Sequence, residues 1–275
     1  MYHQQETLIY ERKQTKHDTT MIEQVLAKKN IQYALRQVER NGGSAGVDGM
    51  PTTWLRPYAK QQGAGIYLAM VHGRYQPAAI KGVYIPKPGG KQRLLGVPTV
   101  VDRWLQQAVH QALLPRFEYS FTEHSYGFRP NKNAQQAVLQ AQRYINEGYR
   151  FIVDIDLANF FDEVDHCLLL QLLYNRVKCP LTLRLVRKWL RAPILLQGKL
   201  HKRRKGVPQG SPLSPLLSNI VLHELDTMLK AAGLRYIRYA DDFSIYCQKH
   251  WHAEKVMKQV RWRFRTMLTH HSGPC

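Results

Sequence analysis

Residues 234–246 limit most strongly how this chain can fold, because apolar residues alternate along them on both sides of two adjacent acids. The alternation predicts two β-strands joined as a hairpin, with Asp241 and Asp242 at its tip. Neighbouring carboxylates among aromatic and aliphatic residues repel each other and lose hydration unless a cation compensates them. The pattern favours a divalent metal site, although an Asp-Asp turn on its own is more often a solvated loop.

A second acidic strand end occurs earlier in the chain. Residues 150–157 alternate as a strand does, so Asp154 and Asp156 share one face. Two strand ends that carry carboxylates and converge at one edge of a sheet can supply oxygen ligands to two Mg²⁺ ions. One ion can then activate an attacking hydroxyl while the other stabilises the leaving pyrophosphate. The combination predicts a nucleotidyl transferase.

Six blocks of sequence follow one another along the chain. They are residues 45–49, 84–99, 125–130, the segment at Asp156, residues 206–219 and the segment at Asp241 and Asp242. In this order they resemble the blocks of group II intron reverse transcriptases. The resemblance extends from residue 45 to residue 247, and so many separate blocks in family order are not expected by accident.

This resemblance implies the fold, the reaction and the partners. The implied fold is α+β, with the fingers and palm of a right-hand polymerase and an antiparallel palm sheet packed against helices. The fingers-like region would occupy residues 1–148 and the palm residues 149–275, and the chain is expected to end before the thumb. The implied reaction is DNA synthesis on an intron RNA template from a DNA primer, with deoxynucleoside triphosphates as substrates and Mg²⁺ as cofactor.

The resemblance also assigns the catalytic residues. Asp156 and Asp241 would ligate both magnesium ions, and Asp242 would support the metal site. Two other interpretations remain open at this stage. The chain could hold intron RNA without polymerising, as a maturase-like protein, or it could be the inactive product of a truncated gene.

Five further residues would bind the nucleotide by the same resemblance. Lys87 and Arg93 would contact the triphosphate, since ammonium and guanidinium groups both bind phosphate oxygens. Phe161 would lie beneath the sugar and exclude a ribose 2′-hydroxyl, the group that distinguishes RNA precursors from DNA precursors. Gln209 and Gly210 would pack against the nascent base pair. Apart from the resemblance, charged residues at a hairpin tip are usually just solvated.

The charge of the chain agrees with a nucleic-acid partner. There are 40 Lys and Arg residues against 20 Asp and Glu residues, which gives a formal net charge of +20. Residues 184–205 contain nine basic residues and no acidic one, and such a segment can follow a phosphate backbone. The alternative is a generally basic, solvated surface. Trp189, within this segment, is expected in the core.

Nothing in the sequence predicts a membrane protein. No apolar run approaches the roughly 20 residues of a membrane span, and the first residues lack a signal-peptide core. The four cysteines show no close pairing, which predicts isolated thiols. We therefore expect a cytoplasmic protein, while its oligomeric state is not predicted.

Overall fold

The computed structural model describes residues 20–86, 90, 92–157 and 160–269, with side chains as far as residue 260. The helices in these residues are α1 (Met21–Leu26), α2 (Lys28–Asn41), α3 (Leu55–Val71), α4 (Val100–Glu118), α5 (Ala134–Asn146), α6 (Phe160–Glu163), α7 (His166–Val177), α8 (Pro180–Arg191), α9 (Ser214–Ala231) and α10 (His250–Thr269). The strands are β1 (Ile80–Pro86), β2 (Gln92–Val97), β3 (Phe151–Asp156), β4 (Ile194–Leu196), β5 (Lys199–His201), β6 (Arg235–Tyr239) and β7 (Asp242–Cys247).

The first sheet has the strand order β2-β1-β4-β5. Strands β1 and β2 form an antiparallel hairpin in which Ile85 lies opposite Arg93. Strand β4 pairs with β1 in parallel orientation and with β5 in antiparallel orientation. Lys87, in the β1–β2 turn, lies outside the described residues. This sheet takes strands from both sides of residue 148, and the predicted boundary there stays a prediction.

The second sheet has the order β3-β7-β6 and is antiparallel throughout. It is the palm sheet that the sequence predicts, and together with the surrounding helices it confirms the α+β fold class. Its inner face carries the buried residues Val153, Phe243 and Ile245, because side chains alternate between the two faces of a strand. The hairpin β6–β7 has Asp241 in its turn and Asp242 as the first residue of β7, as the alternation predicts.

One cluster of buried apolar side chains extends from Met21 in α1 to Val260 in α10. Helix α9 lies within this core and buries Leu216, Leu217 and Ile220 among others. A smaller cluster forms on the outer face of the second sheet, where residues of α5 meet β6 and β7. This second cluster covers part of the outer face and leaves the end with the acids open.

Arg238 of β6 is a fully buried cation on the inner face of the second sheet. Its Nε and Nη2 donate hydrogen bonds to the carboxylate of Asp226 on α9, with the shortest contact at 2.6 Å. Its Nη1 donates to Asn219 Oδ1 at 2.7 Å and to the carbonyl of Ala240 at 2.9 Å. Because Asn219 and Asp226 are seven residues apart, they lie on one face of α9. One guanidinium therefore ties α9 to the acidic turn.

Two other expectations can be compared with the fold. Of the described helices, none has the length and apolar character that crossing a membrane requires. Cys179 and Cys247 are free and buried, whereas Cys167 is disulfide-bonded. The prediction of isolated thiols is therefore wrong for Cys167, since spacing along the chain does not report which cysteines meet in space.

Removing one partner of the buried ion pair should destabilise the protein strongly. Asp226→Ala leaves the Arg238 charge buried without its carboxylate, and we expect the free energy of unfolding to fall by about 3–5 kcal/mol. The measurement is urea denaturation followed by circular dichroism. As a control, Glu163→Ala removes the exposed ion pair with Lys205 and should cost less than about 1 kcal/mol. Equal losses in the two variants would contradict the role of the Arg238 pair.

Candidate active site

The second sheet brings three carboxylates to one edge. In the register of β3 and β7, Asp156 lies directly opposite Asp242 and Asp154 lies opposite Ser244. Residues that face each other across a ladder project from the same face, so these side chains share the outer face. Asp154 Oδ1 accepts a hydrogen bond from Ser244 Oγ at 2.9 Å. The turn before β7 adds a fourth acid, Asp241.

The electrostatics of Asp242 reflect this crowding. Partial burial raises the pKa of its carboxyl above the ordinary value, and the charges of Asp241, Asp156 and Asp154 raise it further. Each of these neighbours disfavours a negative charge on Asp242. The end of the sheet therefore has an excess of negative charge that a cation would relieve.

The carboxylate side chains at this edge are not arranged as a closed set of metal ligands. Within the part of the chain that the structure describes, no three Asp, Glu, His or Cys side chains are grouped closely enough to hold a metal ion. The backbone brings the carboxylates to one edge without their side chains converging on one point. Their oxygen atoms are nevertheless the ligand type that magnesium prefers.

The turn with the acids rests on the loop of residues 125–129. Ala240 has φ 59°, a conformation that costs energy for a residue with a Cβ atom. A Cβ atom added to Gly127 would lie 2.2 Å from Ala240 N, so only glycine fits at this contact. Tyr126 N donates to Arg238 O at 2.8 Å, and Asn219 Nδ2 donates to Gly127 O at 3.0 Å. The loop and the turn are thus fixed to each other.

A cavity of about 540 Å³ opens beside this turn. It contains five residues that the sequence assigns to the site, namely Arg93, Phe161, Gln209, Gly210 and Asp241. They come from the first sheet, α6, the segment before α9 and the β6–β7 turn. The structure therefore brings four of the predicted nucleotide-binding residues together at the acidic turn, while Lys87 lies outside the described residues. Asp156 and Asp242 lie at the adjoining sheet edge.

Adjacent phenylalanines of α6 have different surroundings. Both are buried in the main core cluster, and Phe161 also lines the cavity, whereas Phe160 does not. Their ring planes are inclined by 81° with centroids 6.1 Å apart, an edge-to-face arrangement. The carbonyl of Phe161 accepts a hydrogen bond from Val207 N at 2.6 Å. This bond fixes α6 to the segment that leads to Gln209.

Gly210 has a structural reason to be glycine that the sequence did not indicate. Its φ is 112°, and an added Cβ atom would lie 2.7 Å from Gly96 O. Gly96 N donates a hydrogen bond to Gln209 O at 2.8 Å. The close approach that needs glycine is therefore to strand β2 of the same chain, and it fixes Gln209 beside the strand that carries Arg93.

Other residues line the cavity without having been assigned from the sequence. Arg103 and Gln107 contribute from α4, where a spacing of four residues puts them on one face. Arg103 Nη1 and Nη2 donate to the carbonyls of Gly42 and Ser44 at 3.1 and 2.8 Å. Phe128 also lines the cavity. The polar pair on α4 is a signal that the sequence does contain. Phe128 lies within the block 125–130, to which the sequence assigned no role in the cavity.

The basic segment 184–205 is only partly available to a ligand. Lys188 Nζ donates to the carbonyls of Gly73 and Tyr75, and Lys205 is paired with Glu163. The exposed basic residues of the segment include Lys199, Lys202 and Arg204. They precede Gln209 and Gly210, which line the cavity, by a few residues in the chain. The tryptophan of the segment, Trp189, is buried and donates to Asp102 Oδ1 at 2.8 Å, so its expected place in the core is confirmed.

Comparison with known proteins agrees with this geometry. Residues 85–268 match the family described as "Reverse transcriptase (RNA-dependent DNA polymerase)". The chain is 35% identical over 188 residues to Protein YkfC of Escherichia coli, a match covering 67% of this chain and 49% of that protein. It is 31% identical over 220 residues to the group II intron-encoded protein LtrA of Lactococcus lactis, covering 80% of this chain and 37% of LtrA.

A solved structure is similar over most of the chain. The partial Cas6-RT-Cas1–Cas2 complex has a chain with 27% identity and a TM-score of 0.56, covering 94% of this chain and 47% of that one. The present chain spans half or less of the length of the relatives it matches. The match to LtrA confirms the predicted resemblance to group II intron-encoded proteins. The chain belongs to the reverse transcriptase family.

Proposed function

We propose that this chain is the fingers and palm region of a group II intron-type reverse transcriptase, which adds deoxynucleotides to a primer 3′-hydroxyl on an RNA template. The observation that carries the proposal is that Asp241, Arg93 and Phe161 line the same cavity. An acid for metal-assisted chemistry and a cation for phosphate are groups that nucleotidyl transfer uses, and a ring beside the sugar can exclude a 2′-hydroxyl. The similarity to LtrA supports the group II intron type.

Arg93 and Phe161 would orient the incoming nucleotide. The guanidinium of Arg93 can bind two phosphate oxygens at once, which fixes the triphosphate in one orientation. Phe161 is held at the cavity wall by its packing and by the bond from Val207, so its ring can limit the space beside the sugar. Holding the reacting groups in place in this way contributes to rate, because misplacement by about 1 Å can cost a hundredfold.

Members of the reverse transcriptase family use divalent metal ions, and we propose Mg²⁺ for this chain. Asp156 and Asp241 would ligate the metal, with Asp242 in support. The carboxylate oxygens fit a divalent cation. The pKa of Asp242, raised by partial burial and by repulsion from the neighbouring acids, fits one as well. When bound, the ions would activate the attacking hydroxyl and stabilise the leaving pyrophosphate.

The RNA template and the DNA primer would bind mainly through their phosphates. Lys199 is exposed in β5 of the first sheet, and Lys202 and Arg204 are exposed in the segment that leads from β5 to Gln209. Phosphate contacts of this kind release counterions, so the logarithm of the affinity should fall approximately linearly with the logarithm of salt concentration. A maturase-like protein that holds intron RNA without polymerising would use the same basic surface, and the Asp241 experiment below separates the two functions.

Asp241→Ala should abolish primer extension while RNA binding stays intact. The substitution removes a carboxylate at the cavity but no basic residue, so the phosphate contacts remain. Extension is measured on an RNA template with a DNA primer, deoxynucleotides and Mg²⁺, and RNA affinity by filter binding. Glu147→Gln, which removes an exposed carboxyl outside the site, is the matched control and should extend normally. RNA binding without any extension by the wild-type chain would favour the maturase-like function instead.

Phe161→Ala should increase the use of ribonucleotides relative to deoxynucleotides. Removing the ring opens space at the cavity wall where a 2′-hydroxyl would otherwise collide. We expect the ratio of ribonucleotide to deoxynucleotide incorporation efficiencies to rise by about tenfold or more. Single-nucleotide incorporation with each substrate gives this ratio. An unchanged ratio would leave Phe161 with a packing role alone.

Asp242→Asn should stabilise the metal-free protein at neutral pH. The native pKa of Asp242 lies above its unfolded value, so its charged form is disfavoured on folding, and the penalty is present above that native pKa. The variant should melt higher than wild type at pH 7 in EDTA, and the difference should disappear as pH falls toward the ordinary value of 3.8. Glu147→Gln should show no such gain in thermal unfolding scans. A lower melting temperature for Asp242→Asn at pH 7 would disprove the penalty on the charged form of Asp242.

A further inference from the structure

Phe128 combines three features that rarely occur together. Its side chain is 53% exposed, it lines the cavity beside Asp241, and its backbone has φ 58°. A bulky residue at positive φ is a true outlier, because its Cβ atom crowds the backbone. An exposed phenylalanine gains little for the fold that could offset this strain. Such strain is typical of positions kept for a function.

The neighbours of Phe128 hold its backbone in this conformation. On one side Gly127 is pressed against Ala240 and bonded to Asn219. On the other side Arg129 is anchored by several hydrogen bonds, from Nε to Glu118 Oε1 at 2.9 Å and from Nη1 to the carbonyls of Thr122 and Ser125 at 2.5 and 2.7 Å. The surroundings therefore fix the strained residue and present its ring at the cavity.

The ring of Phe128 meets the ring of Phe161 edge to face. Their centroids are 6.5 Å apart and their planes are inclined by 85°, which is a favourable arrangement for two aromatic rings. These two are the aromatic residues among the described lining of the cavity. Phe161 is 9% exposed and Phe128 is 53% exposed, so Phe128 has much more surface available to a ligand.

We propose that Phe128 is a substrate-contacting residue that packs against the incoming nucleotide and orients Phe161 at its sugar. The proposal rests on the proposed function and adds a second specificity-determining ring to it. An apolar ring exposed in a cavity gains free energy when a ligand covers it, and nucleotides offer flat faces on which aromatic rings pack. The edge-to-face contact limits how far the Phe161 ring can tilt. Selection against a 2′-hydroxyl then depends on both rings.

Phe128→Gly tests this inference because it separates function from stability. Glycine adopts positive φ without strain, so the melting temperature should stay equal to that of the wild type or rise. Apparent deoxynucleotide affinity in single-nucleotide incorporation should fall by about tenfold, as expected for loss of one aromatic stacking contact. The preference for deoxynucleotides over ribonucleotides should fall as well. Affinity for the RNA template should stay within about twofold, because phosphate contacts dominate it.

Two further variants complete the test. Phe128→Tyr keeps the ring and should retain nucleotide affinity and selectivity. Trp54→Ala removes another exposed aromatic residue, which does not line the cavity, and should leave both quantities unchanged. A Phe128→Gly variant that keeps wild-type affinity and selectivity would overturn the inference, and so would one that loses them together with a marked drop in melting temperature. If the wild-type chain shows no extension sensitive to Asp241→Ala, the proposed function fails first and the inference with it.

Discussion

The buried ion pair between Arg238 and Asp226 is the interaction on which the arrangement of the site depends. Removing two charges from water costs several kcal/mol per ion, and only excellent geometry compensates for it. Here the carboxylate of Asp226 accepts hydrogen bonds from both Nε and Nη2 of Arg238. Nη1 donates to Asn219 Oδ1 and to the carbonyl of Ala240. Apolar residues of similar volume could stabilise a core as well. What the guanidinium adds is a fixed connection from α9 to the turn before Asp242.

The same hairpin separates positive and negative charge between its two faces. Arg238 projects into the core, whereas Tyr239 and Asp242, paired across the ladder, belong to the outer face. Because Asp226 already neutralises Arg238 in a bidentate pair, the cation does not satisfy the acids on the other side. Partial burial raises the pKa of Asp242, and the repulsion among the acids persists and raises it further. The hairpin is therefore rigidly anchored and at the same time open to a cation.

Local patterns predicted the parts of the site that depend on strand periodicity. Alternation placed Asp154 and Asp156 on one face and put the Asp241 turn between two strands, and the order of the blocks indicated the family. The partner of Arg238 could not be predicted, because it depends on how α9 packs on β6 across the core. The role of Gly210 was missed for a similar reason. Its neighbour is the backbone of β2, more than a hundred residues away in sequence.

The two strained residues beside the cavity follow from one contact. Phe128 and Ala240, with φ of 58° and 59°, are apolar and have no side-chain hydrogen bond with which to stabilise this conformation. Both adjoin the place where Gly127 is pressed against Ala240. A strained residue of this kind costs about 1–3 kcal/mol and persists only when its surroundings impose it. Here Arg238 supplies that constraint. Its side-chain Nη1 donates to Ala240 O in the turn, and its backbone carbonyl accepts from Tyr126 N in the loop. The acidic turn and the aromatic wall of the cavity therefore form one mechanical unit, so a shift of Arg238 would displace both together.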